Sequence, residues 1–340
     1  MDGFGAVLTA CIAFFITAIL GFFIIPVSKR LKFGQIIKDI GPVWHKSKQG
    51  TPIVGGFMFI TGILAAVIAF AIVVAVSGTN SDVAHEYSRL AGGVFVALAF
   101  GFIGFMDDYI KVVKKRNLGL TARQKMAMQL LAGSAFLVIE YLSGNQGTTF
   151  ILPFVNFQLD FGFFYWPIAL IFITGIVNAV NLTDGVDGLA GSVTFIVSIA
   201  LMLCSRLVEL NGFAALSAAL AGGCLGFLVW NMHPAKVMMG ETGSMFLGGI
   251  ICAIAFGIGY PLLLLPMGII YICEMFSVII QVISFKTTGK RVFKMSPIHH
   301  HYEMSGWSEV KIVSVFSLIT IVFSLLAILW LANYMGQLNF

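Results

Sequence analysis

The chain has 340 residues, 59% of them hydrophobic and 10% charged, with a formal net charge of +5. Soluble domains carry roughly 25% charged residues, so a composition this apolar, with a mean hydropathy of +0.98, excludes a water-soluble globule. No polar stretch is long enough to fold separately, and residues 1–340 are read as one integral membrane domain.

A helix needs about 20 apolar residues to cross a bilayer. In chain order, uncharged runs cover residues 3–28, 49–81, 90–106, 126–139, 161–183, 189–205, 211–235, 242–273 and 312–340. The run from 126 is short and is extended past Glu140 to Ser143. The apolar stretch 242–285 is too long for one span, and Gly257, Gly259 and Pro261 supply a turn that divides it. The expected fold is an all-α polytopic membrane protein with about ten transmembrane helices, nine and eleven being the neighbouring counts. A small hairpin is expected within residues 143–163. The first run lacks a preceding basic residue, which favours a retained helix over a cleaved signal. The five cysteines (Cys11, Cys204, Cys224, Cys252, Cys273) lie in apolar runs without metal-like spacing and read as buried small hydrophobes.

Basic residues set the orientation. Lys29, Arg30, Lys32, Lys38, Lys46 and Lys48 follow the first span. Lys111, Lys114, Lys115, Arg116, Arg123 and Lys125 follow the third, Lys236 the seventh, and Lys286, Lys290, Arg291, Lys294 and Lys311 the ninth. Of the 20 Lys and Arg, all but Arg89 and Arg206 thus share one side. The positive-inside rule places that side in the cytoplasm and both termini outside.

Nearly every unusual polar residue shares the basic side. Asp107-Asp108 follows an apolar helix, where acids mark either function or an interfacial charge offset by lysines. Asn178, Asn181, Asp184 and Asp187 recur every three residues and would lie close on a helix. Gly185 and Gly188 suggest that the helix ends there, which leaves a polar cap as the plainer reading. Glu241 stands at a predicted helix start, as a ligand or as a favourable partner of the dipole. His299, His300 and His301 are adjacent, so they support a shared zinc ion poorly; gripping phosphate and a solvated loop are both open. Glu274 falls mid-span and reads as a hydrogen-bonding group within the bundle. Taken together, the pattern is more specific than its parts. Carboxylates suit magnesium and magnesium suits a diphosphate, lysines offer point charges to phosphate oxygens, and metal and lysine charge can stabilise a departing phosphate. This is the equipment of phosphoryl transfer.

Several motifs in order carry a resemblance over essentially the whole chain: KFGQ at Lys32, DIGP at Asp39, GTP at Gly50, GFMDDYIK at Gly104, NLTDGVDGLAG at Asn181, NMHPAKVMMGETGS at Asn231 and SPIHHHYEMSGWSE at Ser296. The chain resembles the phospho-N-acetylmuramoyl-pentapeptide transferase branch of the polyprenyl-phosphate N-acetylhexosamine-1-phosphate transferase superfamily. The triple histidine before Tyr302-Glu303 is similar to that branch rather than to the GlcNAc-phosphate or teichoic-acid branches. The resemblance implies ten helices, outside termini and an active site facing the cytoplasm of a bacterial cell. It also implies transfer of phospho-MurNAc-pentapeptide from UDP-MurNAc-pentapeptide to undecaprenyl phosphate, giving lipid I and UMP, with Mg2+ as cofactor. Membrane lipid surrounds such an enzyme, a homodimer is expected, and no nucleic-acid partner is.

The site roles follow from the same resemblance. Asp107, Asp108, Asp184 and His300 would be catalytic. Lys48, Lys111, Lys125, Asn178, Asn181, Asp187, Asn231, Met238, His299 and His301 would bind substrate. Glu241 and Asp184 would hold the metal. The chain departs from the family pattern in having Glu241 for Asp, Met238 for a uracil-stacking Phe, and Thr51-Pro52-Ile53-Val54-Gly55-Gly56 for TPTMGG. Direct attack of the lipid phosphate on the β-phosphorus, with Asp107 or Asp108 removing a proton or orienting the acceptor, is favoured over a covalent aspartyl route. The alternatives are a sister transferase using UDP-GlcNAc, a non-catalytic lipid-carrier binding protein, and a secondary transporter. A transporter would place its acids near the midplane within repeats, and neither pattern is seen here.

Overall fold

The computed structural model describes residues 3–30, 50–77, 81–113, 119–155 and 157–338. The helices are α1 (Gly3–Arg30), α2 (Gly55–Ser77), α3 (Ser81–Val113), α4 (Ala122–Leu142), α5 (Tyr165–Thr183), α6 (Leu189–Leu207), α7 (Asn211–Asn231), α8 (Gly240–Gly257), α9 (Leu264–Met267), α10 (Ile269–Thr288), α11 (Ile298–Glu303) and α12 (Glu309–Leu338). Among the described residues ten of these, all but α9 and α11, are long and apolar enough to cross a membrane. The expected break falls where the glycines and proline stand. Helix α8 stops at Gly257, Gly259 takes a positive φ of 83°, and a 3-10 turn runs over Pro261–Leu263. The hairpin also forms, as antiparallel β1 (Thr149–Leu152) and β2 (Phe157–Asp160), with Thr149 opposite Asp160. Gln158 Nε2 donates to Tyr334 Oη at 2.7 Å and ties the hairpin to α12.

Lipid offers no hydrophobic drive between helices, so close packing through small residues has to hold the bundle. Helices α7 and α8 are rich in Gly, Ala and Ser and are buried nearly all round. A Cβ on Gly222 would lie 2.8 Å from the Ala10 carbonyl carbon, one on Gly226 2.6 Å from Phe14 O, and one on Gly248 2.6 Å from Val177 Cα. These contacts seat α1 on α7 and α5 on α8. Large side chains such as Phe22, Phe23, Leu131 and Leu329 face outward from the peripheral helices, as a lipid-facing surface requires. The cysteine expectation holds for Cys204, Cys224 and Cys252. Cys11 and Cys273 are instead exposed on the outer surface of α1 and α10, where a thiol costs little against lipid.

Helix α3 begins nine residues earlier than its uncharged run. Glu86 and Arg89 sit inside it because each is paired. Arg89 Nε lies 3.4 Å from Glu140 Oε2 on α4, its Nη2 donates to Gly257 O, and Asn145 Nδ2 donates to Glu140 at 2.8 Å. Glu86 Oε1 accepts the Gly212 N–H at 2.6 Å. Removing one member of a buried pair costs about 3–5 kcal/mol because the other charge is stranded. Arg89→Ala is therefore expected to lower thermal stability in detergent sharply, and Arg89→Met combined with Glu140→Leu to restore much of it. A double variant that loses the sum of what Arg89→Met and Glu140→Leu lose singly would show that the pair contributes no coupling.

Candidate active site

Four helix ends meet at the end of the bundle opposite Arg89: the C-termini of α3 and α5 and the N-termini of α4 and α8. Each is set by local chemistry. Thr121 and Gln124 form a capping box that starts α4. Helix α8 has no side-chain cap of its own. Asp108 of α3 supplies one, accepting from Thr242 N at 2.9 Å, Thr242 Oγ1 at 2.8 Å and Glu241 N at 3.3 Å. A carboxylate there satisfies orphan N–H groups and complements the positive helix end. Gly240 precedes the turn with φ of 72°, a conformation that favours glycine.

Glu241 is the hub of the cluster. Its Oε1 accepts from Lys111 Nζ of α3 at 2.9 Å, and its Oε2 accepts from Lys125 Nζ of α4 and from Asn181 Nδ2 of α5 at 2.9 Å. Asn181 also donates to Ser244 Oγ at 2.8 Å. Lys111 Nζ lies 2.5 Å from Asp107 Oδ2, and Asp107 Oδ1 accepts the Leu120 N–H at 2.8 Å. Asp107 is only 3% exposed, with the backbone of Gly119 and Leu120 packed against its carboxylate. Three carboxylates and two ammoniums thus share one site, where charge-assisted bonds are stronger than neutral ones. The carboxylate oxygens are hard donors of the kind magnesium takes, and ammoniums shared with Glu241 can turn to a phosphate. The donor set fits a magnesium-bound diphosphate.

The other expected site residues are spread wider. Asp184 is half-buried and ends α5, one turn beyond Asn181. Asn178 is one turn deeper and exchanges two hydrogen bonds with Gln129 of α4, at 2.8 and 3.2 Å. Asn231 accepts the Gly188 N–H at 3.0 Å and donates to Val237 O at 2.8 Å, linking two loops. Met238 is buried; its N–H donates to Pro52 O at 2.8 Å and its carbonyl accepts from Gly55 N at 2.9 Å. Asp187 Oδ2 accepts from Ala235 N at 3.0 Å and lies 3.2 Å from His233 Nδ1. The three histidines, on short α11, take three different partners. His299 is fully buried with Nδ1 3.1 Å from Glu274 Oε1, His300 Nδ1 lies 2.6 Å from Glu303 Oε2, and His301 Nδ1 accepts the Lys294 N–H at 3.2 Å. Lys48 and the motifs at Lys32 and Asp39 lie outside the described residues. Sequence reading passed over Thr242, Ser244, Gln129, His233 and Glu309. Two of the motifs contained Thr242, Ser244, His233 and Glu309, but nothing local marks them as partners of residues far along the chain.

Residues 90–258 match the model of the glycosyl transferase family 4, which spans this site from α3 to the end of α8. Near-full-length similarity extends further. The chain is 47% identical over 321 residues to a phospho-N-acetylmuramoyl-pentapeptide-transferase of Clostridium perfringens, covering 94% of this chain and 97% of that protein. A protein of the same name from Desulforamulus reducens is 46% identical over 338 residues, covering 96% and 98%. One from Caldicellulosiruptor bescii is 44% identical over 322 residues, covering 95% and 96%. With its ten-helix bundle and acid–lysine cluster, the chain belongs to the phospho-N-acetylmuramoyl-pentapeptide transferase family.

Proposed function

We propose that the chain transfers phospho-MurNAc-pentapeptide from UDP-MurNAc-pentapeptide to undecaprenyl phosphate, releasing UMP and leaving lipid I. It works as a multi-pass protein of the bacterial cytoplasmic membrane, with the Glu241 end of the bundle in the cytoplasm. The observation that carries the reading is the Lys111–Glu241–Lys125 bridge beside Asp107 and Asp108, in a chain 44–47% identical to proteins named for this transfer. The distribution of Lys and Arg supports the orientation.

In the reaction an oxygen of the lipid phosphate forms a bond to the β-phosphorus, and the bond from that phosphorus to the bridging oxygen breaks. UMP leaves with the electron pair. Lys111 and Lys125 release Glu241 and meet the diphosphate oxygens, so two positive charges face the developing negative charge. Glu241 and Asp184 would hold magnesium, which supplies further positive charge to the diphosphate when bound. Asp108, fixed on the first turn of α8, orients the acceptor. The lipid phosphate is largely ionised near neutral pH, so little general-base work is required of either aspartate.

Donor choice tests the reading. Detergent-purified protein with undecaprenyl phosphate is expected to release UMP from UDP-MurNAc-pentapeptide and not from UDP-GlcNAc. The opposite preference would move it to the sister transferase, and lipid binding without turnover of either donor would make it a carrier-binding protein.

A further inference from the structure

We propose that Asp187, His233 and Glu309 form a binding site for a divalent transition-metal ion of the zinc class, built from residues outside the Glu241 cluster, of which Asp187 is also among the substrate-binding residues that the family resemblance implies. The three residues come from three segments: the α5–α6 loop, the α7–α8 loop and the first turn of α12. One ligating atom from each lies within 4.8 Å of the others, and among the described residues no other three His, Cys, Asp or Glu side chains meet so closely. His233 Nδ1 is 3.2 Å from Asp187 Oδ2 and 3.8 Å from Glu309 Oε1. Zinc takes nitrogen and oxygen ligands at about 2.0–2.2 Å in tetrahedral geometry, which puts neighbouring ligands roughly 3.3–3.5 Å apart. The two His233 separations fall on either side of that value and the Asp187 and Glu309 oxygens lie within 4.8 Å of each other, so one ion fits between the three once the side chains close on it.

The carboxylates are also held in place. Ala235 N–H donates to Asp187 Oδ2 at 3.0 Å, and the Asp187 N–H donates to Glu309 Oε2 at 3.0 Å, which leaves Glu309 Oε1 facing His233. Outer bonds of this kind orient the ligands of metal sites. Asp187 and Glu309 are sunk in the protein, with side chains 3% and 12% exposed, while His233 at 43% lies on the solvent side and leaves an entry path. Imidazole with two carboxylates suits zinc or manganese better than magnesium, which takes oxygen ligands and retains water. The bound ion would clip two loops to the start of α12 at the end of the bundle that holds the acid–lysine cluster.

The test uses full-length protein in detergent, with any affinity tag removed, stripped with EDTA and then supplied with Zn2+, Mn2+ or Mg2+. Metal content after gel filtration and thermal unfolding are measured. The expected result is one retained equivalent of zinc with a raised melting temperature. His233→Gln should weaken zinc binding at least ten-fold and abolish the zinc-dependent rise, without changing the melting temperature of the stripped protein. Glu241→Gln should keep both the ion and the rise. No zinc retained by the wild type, or equal retention by His233→Gln, would overturn the site and leave a hydrogen-bonded triad. Retention that is lost from His300→Gln but kept by His233→Gln would place the ion on the histidine run and overturn it as well.

Discussion

Asp108→Asn is expected to reduce UMP release by about 10²–10⁴-fold, the range for a positioned acid–base or charge-stabilising group, while the protein stays folded. The variant separates a duty seen in the structure from a proposed one. One is to cap α8, through Thr242 N, Thr242 Oγ1 and Glu241 N. Asn retains an oxygen acceptor for that duty, and even loss of a cap costs only about 1 kcal/mol. The other is the proposed one, to orient the acceptor with a charged carboxylate, which Asn cannot supply. Steady-state UMP release beside a melting curve distinguishes the two. A large fall in turnover with little change in melting is the expected pair of results. Turnover within about three-fold of wild type would reduce Asp108 to a cap, because a group that helps the reaction should cost at least ten-fold.

Gly104→Val is expected to damage both stability and turnover. Gly104 sits where α3 crosses the first turn of α8, and a Cβ there would lie 2.6 Å from Thr242 N, with the Glu241 carbonyl group closer still. These are backbone atoms, which cannot rotate away, so the helices themselves have to separate. Overpacking of this kind costs about 1–3 kcal/mol or more. Because Asp108 and Lys111 follow on the same helix, separation also opens their contacts to α8. The melting temperature should fall and turnover should drop at least ten-fold, the scale on which small misplacements act on a preorganised site. Gly175→Ala is the control. A Cβ there meets only Met275 Sδ at 4.0 Å, and neither property should change. Equal behaviour of the two variants would show that close approach at Gly104 is unimportant.

The spans were legible because a bilayer imposes a length and a composition that few other structures share. Legibility failed where charge was neutralised by a distant partner. Helix α3 was expected to start at residue 90, because Glu86 and Arg89 look like loop residues until Glu140, Gly212 and Gly257 are brought to them. Short α11 is a helix where the sequence offers only a polar histidine run, since six residues carry too little periodicity to announce one. In the site, the residue types were readable and the pairings were not. Lys111 and Lys125 are readable as residues suited to phosphate, but not as the pair that clamps Glu241, 130 and 116 residues away in the chain. Asn178 does lie on one helix with Asn181, but nothing along the chain announces the bonds its amide exchanges with Gln129 on α4. The two oxygen atoms of Asp108 cap a helix that begins more than 130 residues later. Periodicity and spacing report what a residue's neighbours are along the chain, and each of these partners is set by packing instead.

The most direct measurement is UMP release from UDP-MurNAc-pentapeptide and undecaprenyl phosphate as a function of magnesium concentration, for the wild type and Glu241→Gln. Wild-type release that requires magnesium, with Glu241→Gln needing at least ten-fold more of the ion or losing turnover altogether, is expected if the cluster around Glu241 holds the metal for the transfer. Release without magnesium, or an unchanged magnesium dependence in Glu241→Gln, would contradict it.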